Sequence, residues 1–398
     1  MSDPTWVPGA SGSGFGSDHL PFGRWALPSD EVRVGVRVGD FALDAAIALT
    51  GTPWEELFTE PTLNRFLEAG TRTWSDVRAT LRRIIADADE ALRLEPELMP
   101  VDDVTMLLPV DVPDYVDFYA SLHHAANVGR LFRPDQEPLL PNWRHLPVSY
   151  HGRSGTIVPS GTPIVRPRGQ RRGPDGPIFG PSESLDIEAE LGFVVGVPSE
   201  LGQRVSVDEF DQHVFGVVGV NDWSARDIQA WEYVPLGPHL GKSFATTIST
   251  WITPMEALLA ARCELPDQSP DPLPHLRGTD DGGLDVRVSV EIGGHVISQP
   301  PYREMYWSPG QMLAHMTSNG ASLRTGDLYA SGTISGPDRD QRGSLLELSW
   351  NGAHPWPSAG ADRSFLLDGD EVVLRYQAQG EFGGITLGEV RGTIVPAV

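Results

Sequence analysis

The sequence predicts a mostly β protein of the α+β class, made of a small N-terminal unit and a larger C-terminal unit. Its 398 residues include 43 Gly and 35 Pro, a composition typical of short strands joined by many turns. Extended helical periodicity is found mainly within the first hundred residues, and short apolar segments split by Gly and Pro follow. The composition changes after LLPVDVPDY, so we place a boundary near Leu108, which gives domains 1–108 and 109–398.

The N-terminal unit combines a hairpin with helices. Residues 1–30 predict a loop with short strands, and the alternating segment VRVGVRVGDFALD (residues 32–44) predicts two strands joined at Gly39-Asp40. Helices are expected at about residues 62–69 and 74–94. The apolar stripe of the second helix comprises Val77, Leu81, Ile84, Ala88 and Leu92. No cluster of reactive residues stands out here, so we interpret the unit as structural or oligomeric.

The bulk composition excludes several classes of protein. The single cysteine, Cys263, rules out a disulfide framework and a thiolate zinc site, and it fits a reducing compartment. We see no signal-peptide pattern and no apolar run long enough for a membrane span. The formal net charge of −24 argues against nucleic acid and anionic membranes as partners. An anionic substrate would therefore need local Lys, Arg or a bound metal.

The richest stretch of polar chemistry is NDWSARDIQAWEYVPLGPHLGKSF, residues 221–244. Ser224 with Asp227 three residues later predicts a helix N-cap of the capping-box type, and Pro235 is expected to end the helix after about three turns.

On that helix one face would carry Arg226, Gln229 and Tyr233, with Asp222 before the helix and Lys242 after it. This set suits a polar, charged ligand. The alternative is a solvated helix face held by an Asp222–Arg226 ion pair.

Two histidines follow in DFYASLHHAANVGRLFR (residues 117–133). Asp117 is a candidate cap for a helix that carries His123 and His124, of which only one can share a face with a given partner. A histidine is the usual general base, and the alternative is a pair of surface or capping histidines.

The segment LDIEAELGFVV (residues 185–195) alternates as a strand. Asp186, Glu188 and Glu190 would share one face, where carboxylates one pleat apart can converge on a hard cation such as Ca²⁺, Mg²⁺ or Mn²⁺. The alternative is a polar strand that faces solvent.

The segment GSLLELSW contains a further acid, Glu347, which a strand would place on one face with Leu345 and Ser349. A glutamate in this setting is either buried and partnered or at a strand end. A carboxylate can orient an imidazole base, but the sequence alone does not pair Glu347 with His124.

Together these motifs resemble the fumarylacetoacetase family. The resemblance is carried by DFY…HHAANVG, LPNWRHLPVSYHGR, LDIEAELGF, residues 221–244, LRTGDLYASGTISGP and GSLLELSWNG, which lie in order over residues 111–398. HLPFGRW (residues 19–25) is similar to the N-terminal domain of that family. The resemblance implies a small SH3-like barrel domain, a large C-terminal β-roll domain, a cytoplasmic location and a homodimer.

The resemblance also implies a role for individual residues. Asp117, Glu188, Glu190 and Asp222 match ligands of one catalytic divalent ion, Ca²⁺ or Mg²⁺; His124 matches the catalytic base, Glu347 the acid that orients it, and Arg226 and Lys242 polarising groups. Tyr119, Arg133, Gln229, Tyr233 and Thr333 match substrate-binding positions, and Tyr150 is expected in the same pocket. Lys242 and Thr246 match positions near a second, structural cation.

The implied reaction is hydrolysis of a C–C bond in a small diketo diacid, 4-fumarylacetoacetate, to fumarate and acetoacetate, the last step of tyrosine and phenylalanine catabolism. One alternative is an acylpyruvate hydrolase or a 2-oxo acid hydratase or decarboxylase of the same superfamily. Another is a metal- or ligand-binding module without turnover. A third treats all the acids as surface charge and expects no divalent ion.

Overall fold

A computed structural model describes residues 3–279, 282–358 and 361–398 of the chain. The first strands are β1 (Phe22–Ala26), β2 (Val32–Val38), β3 (Phe41–Asp44), β4 (Met99–Pro100), β5 (Thr105–Met106), β6 (Tyr115–Phe118), β7 (Ser149–His151), β8 (Ile157–Pro159), β9 (Ile164–Val165), β10 (Arg168–Gly173), β11 (Gly176–Pro181), β12 (Leu185–Asp186) and β13 (Ala189–Val195). The later strands are β14 (Val214–Asp222), β15 (Ser224–Ala225), β16 (Thr246–Ile248), β17 (Trp251–Pro254), β18 (Arg262–Cys263), β19 (Gly283–Leu284), β20 (Val286–Ile292), β21 (His295–Ser298), β22 (Leu328–Ala330), β23 (Trp356–Ser358), β24 (Ala361–Arg363), β25 (Glu371–Gln379) and β26 (Gly384–Val395). The α-helices are α1 (Ala45–Ala48), α2 (Asn64–Glu68), α3 (Thr71–Ala86), α4 (Ala88–Leu94), α5 (Leu122–Phe132), α6 (Phe210–His213), α7 (Arg226–Glu232), α8 (Pro309–Thr317) and α9 (Leu345–Leu348).

One large sheet runs through both halves of the chain. Its main path is β4-β3-β2-β1-β17-β14-β13-β22-β6-β7, so β1, which pairs with β2 of the N-terminal hairpin, joins the C-terminal strands where Phe22 pairs with Ile252. A second sheet has the order β21-β20-β25-β26-β9. The expected fold class, mostly β with an N-terminal α+β unit, is confirmed. The boundary near Leu108 falls between β5 and β6 and stays a prediction.

The centre of the large sheet is buried on both faces, which explains the apolar run VFGVVGV of β14. Every residue of that strand is buried. Val217 packs into the core of the C-terminal unit, whereas Val218 and Val220 pack into a core shared with the N-terminal hairpin and helices. The strand is therefore a rigid base for the residues at its end, Asn221 and Asp222.

The N-terminal hairpin is confirmed, with Gly39 in the left-handed region at φ 59°. The single helix predicted at 74–94 is wrong. The chain turns at Asp87, which ends α3 in an extended conformation and whose side chain accepts from the backbone N–H of Asp89 to begin α4. Because the turn breaks the periodicity, Leu92 at the end of the predicted stripe is 88% exposed.

Within the described residues, helices that combine the length and the apolar character needed to cross a membrane are absent.

A buried histidine makes the fold sensitive to acid. His19 is inaccessible to solvent, and its ring nitrogens contact the carbonyl oxygen of Gly14 at 3.0 Å and Oγ1 of Thr253 at 2.8 Å. Burial lowers the pKa of His19 to about 3. The unfolded chain, with an ordinary imidazole pKa near ~6.5, therefore binds one more proton than the folded chain between these two pH values.

We expect His19 to lower the free energy of unfolding as pH falls below about 6.5, by up to ~1.4 kcal/mol per pH unit. His19→Gln should reduce that slope in urea titrations between about pH 4.5 and 7. His295→Gln, which removes an exposed imidazole, should leave the slope unchanged. Equal slopes for His19→Gln and the wild type would show that His19 is not the acid-sensitive group.

Candidate active site

Four carboxylates meet at one end of the large sheet. Asp117 lies in β6, Glu188 immediately before β13, Glu190 within β13 and Asp222 at the end of β14. Each offers one oxygen, and these oxygens all lie within 4.8 Å of one another. All four side chains are buried, so the interpretation of these acids as surface charge is wrong.

The cluster concentrates negative charge away from water. Burial raises the pKa of Asp117 and of Glu190 well above the ordinary range, and the neighbouring carboxylates add to the shift. Among the described residues, Oδ1 of Asp117 and Oε1 of Glu190 have no hydrogen-bond partner. Four buried carboxylates with two unpartnered oxygens fit a hard divalent cation of the Ca²⁺ or Mg²⁺ type.

Two buried cations balance part of this charge. Nζ of Lys242 donates to Oε2 of Glu188 and, at 2.7 Å, to Oδ2 of Asp222; Nη1 of Arg226 lies 2.8 Å from Oε1 of Glu188. Burial by itself would raise the pKa of Glu188, but Lys242, Arg226 and His124 hold it below its usual range. Burial would lower the pKa of Lys242, but Asp222 and Glu188 raise it, so its ammonium stays charged.

Asp222 is held from several sides. Its Oδ2 also accepts from the hydroxyl of Tyr150 at 2.9 Å, and its Oδ1 accepts from Oγ1 of Thr246 at 2.8 Å. Thr246 stands opposite Asp222 in the β14–β16 register, which explains the contact. The second, structural cation near Lys242 and Thr246 stays a prediction.

The continuous strand expected at 185–195 is wrong, because it is interrupted between β12 and β13. The alternation of side chains between the two faces of a strand is therefore not continuous over residues 185–195. Glu188 and Glu190 join the carboxylate cluster, whereas Asp186 accepts from Nε of Arg226 at 2.7 Å.

His124 is buried near the start of α5 and paired with Glu347. The cap of α5 is Ser121, so the interpretation of Asp117 as the cap is wrong; Asp117 belongs to the preceding strand. Nδ1 of His124 lies 2.6 Å from Oε2 of Glu347, and Nε2 lies 4.0 Å from Oε1 of Glu188.

Because a carboxylate only accepts, Nδ1 of His124 donates in this contact, and in the neutral imidazole the lone pair is then on Nε2. Burial favours a neutral Glu347, but His124 and neighbouring donors lower its pKa below the usual range. Glu347 is therefore ionised and can orient the imidazole. His123, on another side of the helix, has a side chain that is 30% exposed.

Glu347 lies on the one-turn helix α9, so the strand expected around Leu345 and Ser349 is wrong. The signal that sequence reasoning missed is S-x-x-E: Ser344 caps the helix and its Oγ donates to Oε2 of Glu347 at 2.8 Å. Sequence reasoning also missed Asn127 and Ser335, which donate to the same carboxylate at 2.9 and 3.0 Å.

The start of the stretch 221–244 folds differently from the prediction. The helix α7 begins at Arg226 with Ala225 as its cap, whereas Ser224 belongs to a short strand, so the predicted capping box is wrong. The Asp227 carboxylate instead accepts from Ser182 and from the backbone of Glu183. The helix ends at Glu232, sooner than predicted.

Arg226 is held by acids other than Asp222, so the alternative Asp222–Arg226 pair is wrong. Besides its contacts with Asp186 and Glu188, its Nη1 donates to Oε1 of Gln229 at 3.2 Å. Its Nη2 is buried and finds no partner among the residues that the structure describes. That N–H group is available to a bound molecule.

These side chains surround a cavity of about 360 Å³. The predicted site residues that line it are Asp117, Tyr119, His124, Arg133, Tyr150, Glu188, Arg226, Gln229, Tyr233, Lys242 and Thr333. The remaining predicted residues lie behind this lining. Glu190 and Asp222 share the carboxylate cluster with lining residues, Glu347 contacts His124, and Thr246 contacts Asp222.

The cavity has an exposed rim and a wall with both polar and apolar side chains. Tyr233 lies at the rim and is 42% exposed. In the described part of the chain, Oγ1 of Thr333 and Nε of Arg133 are buried without a hydrogen-bond partner. An apolar wall that sequence reasoning missed includes Val128 and Phe132, which follow His124 at intervals of four residues; helical periodicity could have found them.

Comparisons with known proteins agree with this arrangement. Residues 18–109 match the family model described as fumarylacetoacetase N-terminal, and residues 115–395 match fumarylacetoacetate (FAA) hydrolase C-terminal. The chain is 44% identical to the fumarylacetoacetase of Oryza sativa subsp. japonica, covering 99% of this chain and 97% of that protein. It is 43% identical to the fumarylacetoacetase of Homo sapiens, covering 99% of each.

A solved structure shows the same fold. The fumarylacetoacetate hydrolase of the psychrophilic Exiguobacterium antarcticum superposes with a TM-score of 0.57 at 17% identity, covering 95% of this chain and 99% of that one. The resemblance seen in the motifs is thus confirmed over nearly the whole sequence, and the chain belongs to the fumarylacetoacetase family.

Proposed function

We propose that this protein is a metal-dependent hydrolase that cleaves 4-fumarylacetoacetate into fumarate and acetoacetate, the last step of tyrosine and phenylalanine catabolism. The observation that carries the proposal is the His124–Glu347 pair beside a buried four-carboxylate cluster and two buried cations, at a cavity that His124, Arg226 and Lys242 line. The fumarylacetoacetase relatives at 43–44% identity support the same reaction.

His124 is the general base. Its Nε2 takes a proton from water while Glu347 holds the Nδ1–H tautomer and stabilises the imidazolium that forms. The hydroxide adds to the carbonyl carbon next to the double bond of the substrate. Tyr119 packs edge-on against the imidazole, with ring centroids 5.3 Å apart, and restricts its orientation.

The negative charge that develops on the carbonyl oxygens is stabilised by fixed donors. Arg226, Lys242 and Gln229 line the cavity, and Nη2 of Arg226 is a buried donor without a partner among the described residues. Asp117, Glu188, Glu190 and Asp222 would hold a Ca²⁺ or Mg²⁺ ion, which acts as a Lewis acid when bound.

Cleavage then balances in atoms and charge. The bond between the hydrated carbonyl carbon and the adjacent CH₂ breaks, which leaves fumarate, whose new carboxyl group releases its proton to solvent, and the enolate of acetoacetate. The proton held by His124 returns to that CH₂ carbon and gives the methyl group. No oxidant or second substrate is needed.

The rest of the cavity suits an elongated diacid. Arg133 offers a guanidinium to a substrate carboxylate, and Tyr150, Tyr233 and Thr333 offer hydroxyl groups. The positive charges of Arg133, Arg226 and Lys242 offset the repulsion of an anionic substrate that is expected from the net charge of −24.

We also propose that Lys242 and Thr246 lie near a second, structural cation, that residues 1–108 form a structural domain and that the enzyme acts in the cytoplasm.

We expect the metal-loaded protein to remove the absorbance of the conjugated diketone of fumarylacetoacetate and to release fumarate. EDTA should abolish this turnover, and added Mg²⁺ or Ca²⁺ should restore it, with the better ion identified by titration. Glu190→Gln should not recover, because it loses one of the buried ligands.

Exposed Glu200→Gln removes the same charge elsewhere and is the matched control for Glu190→Gln. Faster turnover of simple acylpyruvates than of fumarylacetoacetate would instead assign the protein to the acylpyruvate branch.

We expect His124→Ala to lower kcat by roughly 10²- to 10⁴-fold, the range for loss of a general base. The adjacent His123→Ala is the matched control and should keep kcat close to wild type, because His123 lies on another side of the helix. An undiminished rate in His124→Ala would contradict the mechanism.

We expect a homodimer in solution, as the family resemblance implies. Light scattering coupled to size exclusion should give twice the mass of the chain. A single-chain mass at micromolar concentration would contradict this expectation.

A further inference from the structure

Asp186 is a buried acid without a role in the reaction proposed above, on which this inference rests. It lies in β12 at zero exposure, outside the four-carboxylate cluster. A buried carboxylate is costly unless it is fully hydrogen-bonded, so its partners indicate what it holds in place.

The partners of Asp186 come from two parts of the active site. Oδ2 accepts from Nε of Arg226 at 2.7 Å and from the backbone N–H of Leu346 at 3.0 Å. Oδ1 accepts from the backbone N–H of Leu345 at 2.7 Å and from that of Ile187 at 2.7 Å. One side chain thus connects a cation of the cavity to the first turn of α9.

Two of these partners, Arg226 and the first turn of α9, are connected to groups that take part in the proposed reaction. Arg226 is held at Nε by Asp186 and at Nη1 by Glu188, which leaves the buried Nη2 for the substrate. The helix α9 is a single turn and carries Glu347, whose carboxylate holds Nδ1 of His124. Movement of α9 would therefore change the direction of the imidazole.

We propose that Asp186 is a positioning residue that fixes Arg226 and the Glu347–His124 pair in one mutual arrangement, so that the base and the charge-stabilising cation face the same carbonyl group. A displacement of about 1 Å at a reacting group can cost on the order of 10²-fold in rate. Asp186 would act through geometry, without contact with the substrate.

The first test is Asp186→Asn, a change of similar shape that removes the charge and one acceptor. We expect kcat for fumarylacetoacetate at saturating Mg²⁺ to fall roughly 10- to 100-fold, and KM to change much less, because the lost alignment matters most in the transition state. The matched control is Asp44→Asn. Asp44 is also buried and accepts two backbone N–H groups at the start of a short helix, but it lies in the N-terminal unit. We expect its kcat to stay at the wild-type value.

A second variant isolates the contact with α9. Leu345→Pro removes the N–H that donates to Oδ1 of Asp186, at a helix position where proline is tolerated. Ser344, the preceding residue, has φ −135° and ψ 152°, which suits a residue before proline. Leu345→Ala loses the same side chain and keeps the N–H, so it is the control. We expect Leu345→Pro to have a several-fold lower kcat than Leu345→Ala.

The variants Leu345→Pro and Leu345→Ala also test whether the contact between Asp186 and α9 acts through Glu347. In a Glu347→Gln background, the difference between Leu345→Pro and Leu345→Ala should shrink, because the contact acts through that carboxylate. If Leu345→Pro acted only by destabilising the fold, the ratio of the kcat values of Leu345→Pro and Leu345→Ala would be the same in both backgrounds. That result would overturn the proposal.

The remaining outcomes separate this proposal from the function itself. Turnover by the wild type with undiminished kcat in Asp186→Asn overturns the positioning role alone. If Asp186→Asn does not fold, equal kcat values for Leu345→Pro and Leu345→Ala overturn it. Absence of turnover by the wild type overturns the proposed function and this inference with it.

Discussion

Burial of negative charge is the constraint on which the rest of the active site depends. Asp117, Glu188, Glu190 and Asp222 are removed from water within 4.8 Å of one another, an arrangement that is unfavourable without cations. Lys242 and Arg226 supply two of these cations by direct contact. The unpartnered oxygens of Asp117 and Glu190 are where a divalent ion would complete the balance.

The strands that carry these carboxylates belong to one sheet, in which β14 pairs with β13, β13 with β22 and β22 with β6. The strand β14 is buried on both faces between two hydrophobic cores and ends at Asp222, and its register with β16 brings Thr246 to that carboxylate. Strand β1 of the N-terminal unit pairs with β17 of the same sheet. The N-terminal unit therefore packs against the strands that carry the site, although the residues that line the cavity come from the C-terminal unit.

The errors in the sequence-based secondary structure lie in short segments where two local patterns compete. LLELS alternates like a strand, yet Ser344 and Glu347 form the S-x-x-E pattern of a helix start, and α9 is the result. Likewise, Ser224 and Asp227 have the spacing of a capping box, but Ser224 pairs in a short strand with Asp186 and Asp227 binds the chain at Ser182. Tertiary hydrogen bonds accompany the observed structure in both places, from Leu345 and Leu346 to Asp186 at α9 and from Ser182 to Asp227 at α7.

The sequence by itself determined the fold class, the family and the residue types of the site, because composition, strand alternation and long motifs are local properties of the chain. Only the tertiary structure decided which of these residues meet. His124 and Glu347 are 223 positions apart in the sequence. Of the alternating acids, Glu188 and Glu190 join the carboxylate cluster, whereas Asp186 accepts a hydrogen bond from Arg226. The physical reason is that the direction of a buried side chain follows from strand breaks and from the partners that its charge requires, and these come from distant parts of the chain.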